Sequence, residues 1–118
     1  MPIRYETDDA RRRVVVRMQG PFALADFLAV IERQRGDNAS AYGVLYDLRG
    51  MTGEPTVADL RQSMSQIGLR GPIAILATDP AINARACTYA ALGHSMLTFG
   101  VFREWDKAEQ WLTTKLNG

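Results

Sequence analysis

The segment Gly43-Val-Leu-Tyr-Asp-Leu-Arg-Gly-Met-Thr-Gly53 passes from a continuous apolar run into a carboxylate, Asp47, and a guanidinium, Arg49. An acid and a base at that spacing can hold a charged ligand, a partner loop, or simply each other. Asp79 follows the apolar run Ile73-Ala-Ile-Leu-Ala77, and Arg103 follows the run from Leu97 to Phe102. Apolar runs this short, bounded by turn residues, read as buried strands of a parallel sheet. Open α/β sheets bind ligands beyond the carboxyl ends of such strands. Asp47, Arg49, Asp79 and Arg103 are therefore expected to converge as a polar rim at one edge of the sheet. A plainer reading stands beside it: Asp47 accepts backbone N–H groups in its loop, Arg49 pairs with it, and Asp79 is spent as a helix cap.

Other chemistry is thin. The only histidine, His94, precedes Ser95 in Gly93-His-Ser-Met-Leu97. That segment lacks the second glycine and the strand-to-helix turn of a nucleophile elbow. Neighbouring helical residues also point about 100° apart, so His94 does not sit over the Ser95 hydroxyl. The lone Cys87 has no disulfide partner and no ligand cluster around it, and reads as a buried, inert thiol within a helix. Phosphate-cradling glycine loops and zinc-binding helix motifs are absent from the sequence. These readings assign no catalytic residue, no metal and no cofactor.

The 118 residues carry a formal charge of +1, with 47% apolar and 23% charged residues. That balance fits a soluble single domain spanning residues 1–118 and gives no global field for nucleic acid. No apolar run approaches the roughly 20 residues of a membrane span. The N-terminal Met-Pro-Ile-Arg-Tyr-Glu-Thr-Asp-Asp lacks the apolar core of a signal peptide, so a cytoplasmic location is expected. One basic cluster, Arg11, Arg12 and Arg13 with Arg17 and Arg4, reads as a solvated hairpin tip or as a contact for an acidic partner or lipid headgroups.

The elements that must position these groups follow from periodicity. Ile3, Tyr5 and Thr7 alternate with Arg4 and Glu6, and Val14, Val16 and Met18 with Arg13, Val15 and Arg17, which predicts an antiparallel hairpin ended by Gly20-Pro21. Leu24, Phe27, Leu28 and Ile31 have helical spacing. Val44 to Tyr46 predicts a buried strand. Thr56 and Asp59 resemble a capping box before a helix whose inner face is Val57, Leu60, Met64 and Ile67. Ile73 to Ala77 predicts a strand, Asp79-Pro80 a capped helix start, and Leu97 to Phe102 a last strand. Asp106 and Glu109 are expected to cap a closing helix with Ala108, Trp111, Leu112 and Leu116 inward. The order ββαβαβαβα predicts an α/β fold with a mixed, mostly parallel sheet flanked by helices.

With that order in place, the strand ending Tyr-Asp-Leu-Arg-Gly, the segment Ile-Ala-Ile-Leu-Ala-Thr-Asp and the ending Val101-Phe-Arg-Glu-Trp-Asp-Lys-Ala-Glu-Gln-Trp-Leu112 resemble the SpoIIAA-like family. These are small cytoplasmic proteins related to the STAS domain (sulfate transporter and anti-sigma-factor antagonist) and grouped with lipid-binding domains of the Sec14 type. The resemblance covers nearly the whole chain and implies a non-enzymatic protein-interaction or regulatory module. It also implies the strand order, an antiparallel first pair followed by parallel neighbours. Antagonists of that family carry Asp-Ser-Ser/Thr-Gly at the start of the second helix, where a partner kinase phosphorylates the hydroxyl. Here the region reads Gly53-Glu-Pro-Thr-Val-Ala-Asp59, with no Asp-Ser, and Thr56 is the hydroxyl nearest that place. Thr56 is thus a candidate phospho-switch and equally a plain N-cap; Glu54 and Asp59 would oppose a phosphate there.

The third helix offers two further candidates. Ile82, Ala86, Tyr89, Gly93 and Met96 form a stripe assigned to the sheet. Ala84, Thr88, Ala91 and Ser95 form a second stripe of small residues, compatible with close approach of another helix in a homodimer or with ordinary helix propensity. Tyr89, Met96, Phe99 and Phe102 are expected to surround an apolar space beneath this helix. They either fill the core or, as the Sec14-type relationship implies, leave room for a lipid or another apolar ligand.

Overall fold

In the computed structural model, residues 3–39, 41–53, 55–66, 71–93 and 98–117 are described. The elements run β1 (Ile3–Asp8), β2 (Arg13–Gly20), α1 (Leu24–Gly36), β3 (Gly43–Met51), α2 (Val57–Gln66), β4 (Ile73–Leu76), α3 (Pro80–Gly93), β5 (Phe99–Phe102) and α4 (Trp105–Asn117). They form a five-stranded sheet in the order β1-β2-β3-β4-β5. β1 is antiparallel to β2, and the remaining neighbours are parallel.

Period-two alternation sends the strand side chains to two different layers. Val14, Val16, Val44, Tyr46, Ile73 and Ile75 pack against Phe27 and Ile31 of α1, Leu60 of α2, and Ala86 and Tyr89 of α3. Leu45, Ala74 and Leu76, on the opposite face, pack against Ala108 and Leu112 of α4. Three crossover helices thus cover one face, whereas α4 alone lies across β3, β4 and β5 on the other. On that second face β1 has no helix over it among the described residues, and β2 meets only the edge of α4, through Arg13, Val15 and Arg17.

Several expectations change. β3 is longer than Val44 to Tyr46, so Asp47 and Arg49 lie within the strand and not past its end. On α2, Leu60 and Ser63 are buried, while Val57, the first residue of the helix, is exposed. Ile67 and Leu97 lie outside the described residues. On α4, Asp106 falls inside the first turn, and the Glu104 carbonyl accepts the Ala108 N–H, so neither Asp106 nor Glu109 caps the helix.

Glu109 instead reaches across the sheet. Arg13 was expected in a solvated tip, yet it is buried at the start of β2, where its Nη1 donates to Glu109 Oε2 in a short ion pair. Its Nη2 donates to Thr113 Oγ1 at 3.0 Å. The hairpin is therefore clasped to α4 by a guanidinium that water does not reach. Breaking a buried pair from the accessible side strands the inaccessible charge. The side chain of Arg13 is 4% exposed and that of Glu109 23%. Glu109→Ala is expected to cost about 3 kcal/mol, and Arg13→Met distinctly less, since the freed carboxylate can take up water. Urea unfolding of the two variants checks the order; Arg13→Met as the costlier change would sink the account.

Candidate functional site

The site grows from an irregularity in the sheet. β2 and β3 stay in register from Arg13 opposite Gly43 to Arg17 opposite Asp47, but Gln19 then faces Gly50. Two steps along β2 are matched by three along β3, which makes a bulge around Leu48 and Arg49. A bulge takes a backbone N–H out of the ladder, and Asp47 supplies the acceptor: its Oδ1 receives the Arg49 N–H at 3.1 Å. The same carboxylate takes Arg49 Nε–H at 2.9 Å on Oδ1 and Nη2–H at 2.9 Å on Oδ2. Arg17 Nε lies 3.8 Å from Oδ2.

Both guanidinium groups rest over one indole. The Arg17 and Arg49 Cζ atoms are 5.3 Å and 5.6 Å from the Trp105 ring centroid. Trp105 is the first residue of α4, so the helix that stops short of β2 marks its boundary with an aromatic platform. Arg4 stands directly opposite Arg17 on the edge strand β1. Arg4, Arg17, Gln19, Asp47, Arg49 and Gly50 line a shallow basin on the uncovered half of the face. Glu6, beside it, lies 3.8 Å from Arg17 Nη1.

Burial of Asp47 works to raise its pKa, but the Arg49 side-chain and backbone donors, with the Arg49 and Arg17 charges, hold it below the usual carboxylate value. A carboxylate with a depressed folded pKa stabilises the fold above its unfolded pKa of about 3.9, and that contribution disappears as pH falls through the lower folded value. Asp47→Asn should therefore cost about 2 kcal/mol at pH 7, the scale of a charge-assisted hydrogen bond. The loss should shrink as the pH is taken below the unfolded value of about 3.9. Urea unfolding at pH 7, 5 and 3 reads it, and a pH-independent difference would contradict the assignment.

The remaining candidates are dispersed. Asp79 Oδ1 accepts the Ala81 and Ile82 N–H groups at 2.9 Å and 3.2 Å, at the start of α3. Arg103 is exposed after β5. Among the described residues no hydrogen bond or ion pair joins Asp79 or Arg103 to Asp47 or Arg49. Thr56 is exposed and forms a reciprocal cap with Asp59: Thr56 Oγ1 accepts the Asp59 N–H and Asp59 Oδ2 accepts the Thr56 N–H, both at 3.1 Å. A phosphate on that oxygen would face the Asp59 carboxylate. Ala84 and Ala91 are exposed on α3, and Thr88 donates its hydroxyl to the Ala84 carbonyl at 3.1 Å. His94, Ser95 and Met96 lie outside the described residues. Cys87 is exposed, contrary to expectation, because α3 buries Ile82, Ala86, Tyr89 and Gly93 and position 87 turns away from that stripe.

The apolar space is also reorganised. Tyr89 and Phe99 meet edge-on at 5.5 Å, but Phe102 lies on the other face of the sheet, 5.6 Å from the Trp111 ring. Phe102 is three positions on from Phe99 along a strand, an odd offset that places them on opposite sides. The cavity beneath the helices is lined by Met18, Phe27, Tyr46, Leu60, Ile82 and Tyr89, among others, and measures about 50 Å³. Burial raises the pKa of both phenols, that of Tyr89 to about 12. The Tyr46 hydroxyl is buried with no hydrogen-bond partner among the described residues. Removing a polar atom that has no partner costs no hydrogen bond. Tyr46→Phe is accordingly expected to keep or raise the melting temperature, and a fall of several degrees would reveal a partner.

Sequence reasoning missed Trp105 as a member of the site, and it placed Arg4 and Arg17 in a basic cluster apart from Asp47 and Arg49. Trp105 stood in Arg-Glu-Trp-Asp beside a presumed cap, and only the path of α4 across the sheet brings it under Arg17 and Arg49.

No family profile matches the chain, and a search of curated proteins finds no relative. Solved structures do match. An uncharacterised protein of the DUF3478 family with a SpoIIAA-like fold, from Shewanella loihica PV-4, superimposes with a TM-score of 0.61 at 14% identity, over 94% of this chain and 92% of that one. An anti-sigma factor antagonist from Mycobacterium paratuberculosis gives 0.61 at 17% identity, over 94% and 92%. The unphosphorylated anti-sigma factor antagonist SpoIIAA gives 0.54 at 14% identity, over 93% and 97%. The leading antiparallel pair and the parallel strands that follow are the arrangement expected above, and the chain has the SpoIIAA-like fold.

Proposed function

We propose that this protein is a non-enzymatic regulatory module of the cytoplasm that acts by binding another protein. The observation that carries the reading is the likeness, over more than nine-tenths of the chain, to structures that include anti-sigma factor antagonists. The described side chains are in keeping with it. Asp47, the most buried of the candidate acids, is spent on Arg49, and Cys87 has only a distant contact, 3.8 Å from Asn83 Oδ1. A lipid carrier is not proposed, because ligand pockets run to about 300–1,000 Å³ and the apolar cavity is about 50 Å³.

Homodimerisation is a second part of the reading. Leu92 is an exposed large apolar side chain on α3, one turn beyond Thr88, so an apolar group extends the small-residue face. The test is co-expression of the tagged chain with its genomic neighbours, followed by gel filtration with light scattering. A stoichiometric complex is expected, with the uncomplexed chain eluting as a dimer that Leu92→Arg converts to monomer. A monomer that forms no complex, coupled to turnover of any substrate in a hydrolysis screen, would overturn the reading.

A further inference from the structure

Resting on the reading of the chain as a protein-binding module, we propose that the basin of Arg4, Arg17 and Arg49 is its docking surface, and that the occupant is an acidic segment of a partner protein.

The argument begins with a pairing that folding alone does not favour. Like charges directly opposite on antiparallel strands destabilise the pair. Arg4 and Arg17 nevertheless stand opposite each other, with Arg49 in the same basin. Arg4 makes no hydrogen bond or ion pair with any described residue. Arg17 has Glu6 and Asp47 only at 3.8 Å, beyond hydrogen-bond range, so its N–H donors are not consumed. Arg49 is held differently, through two hydrogen bonds from its side chain to Asp47, which fix its plane. The basin therefore presents one preset guanidinium and two with donors to spare. Two of the three are stacked on Trp105, which restricts them and lowers the ordering cost of binding. Planar forks of this kind match carboxylates in a two-point geometry.

Three other occupants fit less well. A nucleic acid would meet the Asp47 and Glu6 carboxylates among its few phosphate contacts, and the Trp105 ring is covered by guanidinium groups and cannot stack on a base. A membrane surface would call for exposed apolar side chains beside the cations. Among the described residues the exposed large apolar side chains, Val57 and Leu92, are on α2 and α3, across the sheet from the basin. A single small anion has little to add between Arg17 and Arg49, which already share Asp47 Oδ2, whereas a run of carboxylates can extend to Arg4 on the edge strand.

The test uses a fluorescein-labelled hexaglutamate peptide, followed by anisotropy and by the Trp105 indole N–H signal in 15N NMR. Saturable binding that shifts the Trp105 signal is expected, weakened at least about tenfold by Arg17→Glu and by Arg4→Ala. Arg61→Glu, an exposed change on α2, should leave it unaltered; NMR spectra establish that each variant is folded. Equal loss in Arg61→Glu would reduce the effect to bulk charge and overturn the proposal. So would inorganic phosphate binding as tightly through the same arginines, or basin-dependent binding to phosphatidylserine vesicles without binding of the peptide. If a co-expressed partner still forms its complex with the Arg17→Glu protein, the docking surface fails while the protein-binding reading stands. If no partner complex forms with the parent chain, the broader reading fails first.

Discussion

A carboxylate taken almost wholly out of water must be hydrogen-bonded and paired, or the strand that carries it will not stay buried. Asp47 sits in the middle of β3, between β2 and β4, and is 7% exposed. Its demand is met by the bulge that follows it, which turns the Arg49 N–H and side chain back onto the carboxylate. The bulge in turn ends the clean register with β2 and delivers Gly50 opposite Gln19. Gly50 is suited to the spot, since a Cβ there would come 2.9 Å from Gln19 Cγ. One buried acid thus fixes the local backbone, the orientation of Arg49, and the position of both arginines over Trp105.

The same strand divides the molecule into two unequal layers. Its even-numbered residues Val44 and Tyr46 enter the core under α1, α2 and α3, and its odd-numbered residues Leu45 and Asp47 face α4. A single helix cannot cover five strands, so the second face is split between an apolar part under α4, which Val15 of β2 joins, and a charged part over β1 and the far end of β2. The boundary is polar on purpose at both ends. Arg13 joins Glu109 and Thr113 near the start of β2, and Arg17 joins Asp47 and Trp105 farther along the same strand. Position i and i+4 on a strand share a face, so one period-two rule places both contacts on the α4 side.

Much of this was legible in the amino-acid order, and the reasons for the rest are physical. The alternation in β1 and β2, the Asp79-Pro80 start of α3 and the Thr56–Asp59 cap are short-range features, and each formed as its local chemistry predicts. The length of β3 was not legible, because an ion pair inside a strand looks like turn chemistry until the bulge is known. Arg13 was misplaced for a similar reason: beside Arg11 and Arg12 it reads as solvated, and only Glu109, far along the chain, makes its burial affordable. Phe102 was assigned to the wrong layer although its spacing from Phe99 already opposed that choice. Trp105 depended on the path of α4, which no local signal sets.

The two roles of Asp47 also bear on how tightly the basin can hold an acidic group. An incoming carboxylate competes with Asp47 for Arg49, and Asp47 has the advantage of being covalently positioned two residues away. The occupant therefore gains chiefly from Arg4 and Arg17, whose donors are solvated in the free protein, with Arg49 contributing its outward edge. Exchanging water for a carboxylate on an exposed guanidinium is worth little per contact and is screened within about 8 Å at physiological salt. Specificity must then come from the spacing of several carboxylates against a fixed array, and the rigidity of that array comes from the Asp47 pair and the Trp105 ring. A module built this way suits reversible association, in which rapid exchange matters more than depth of binding.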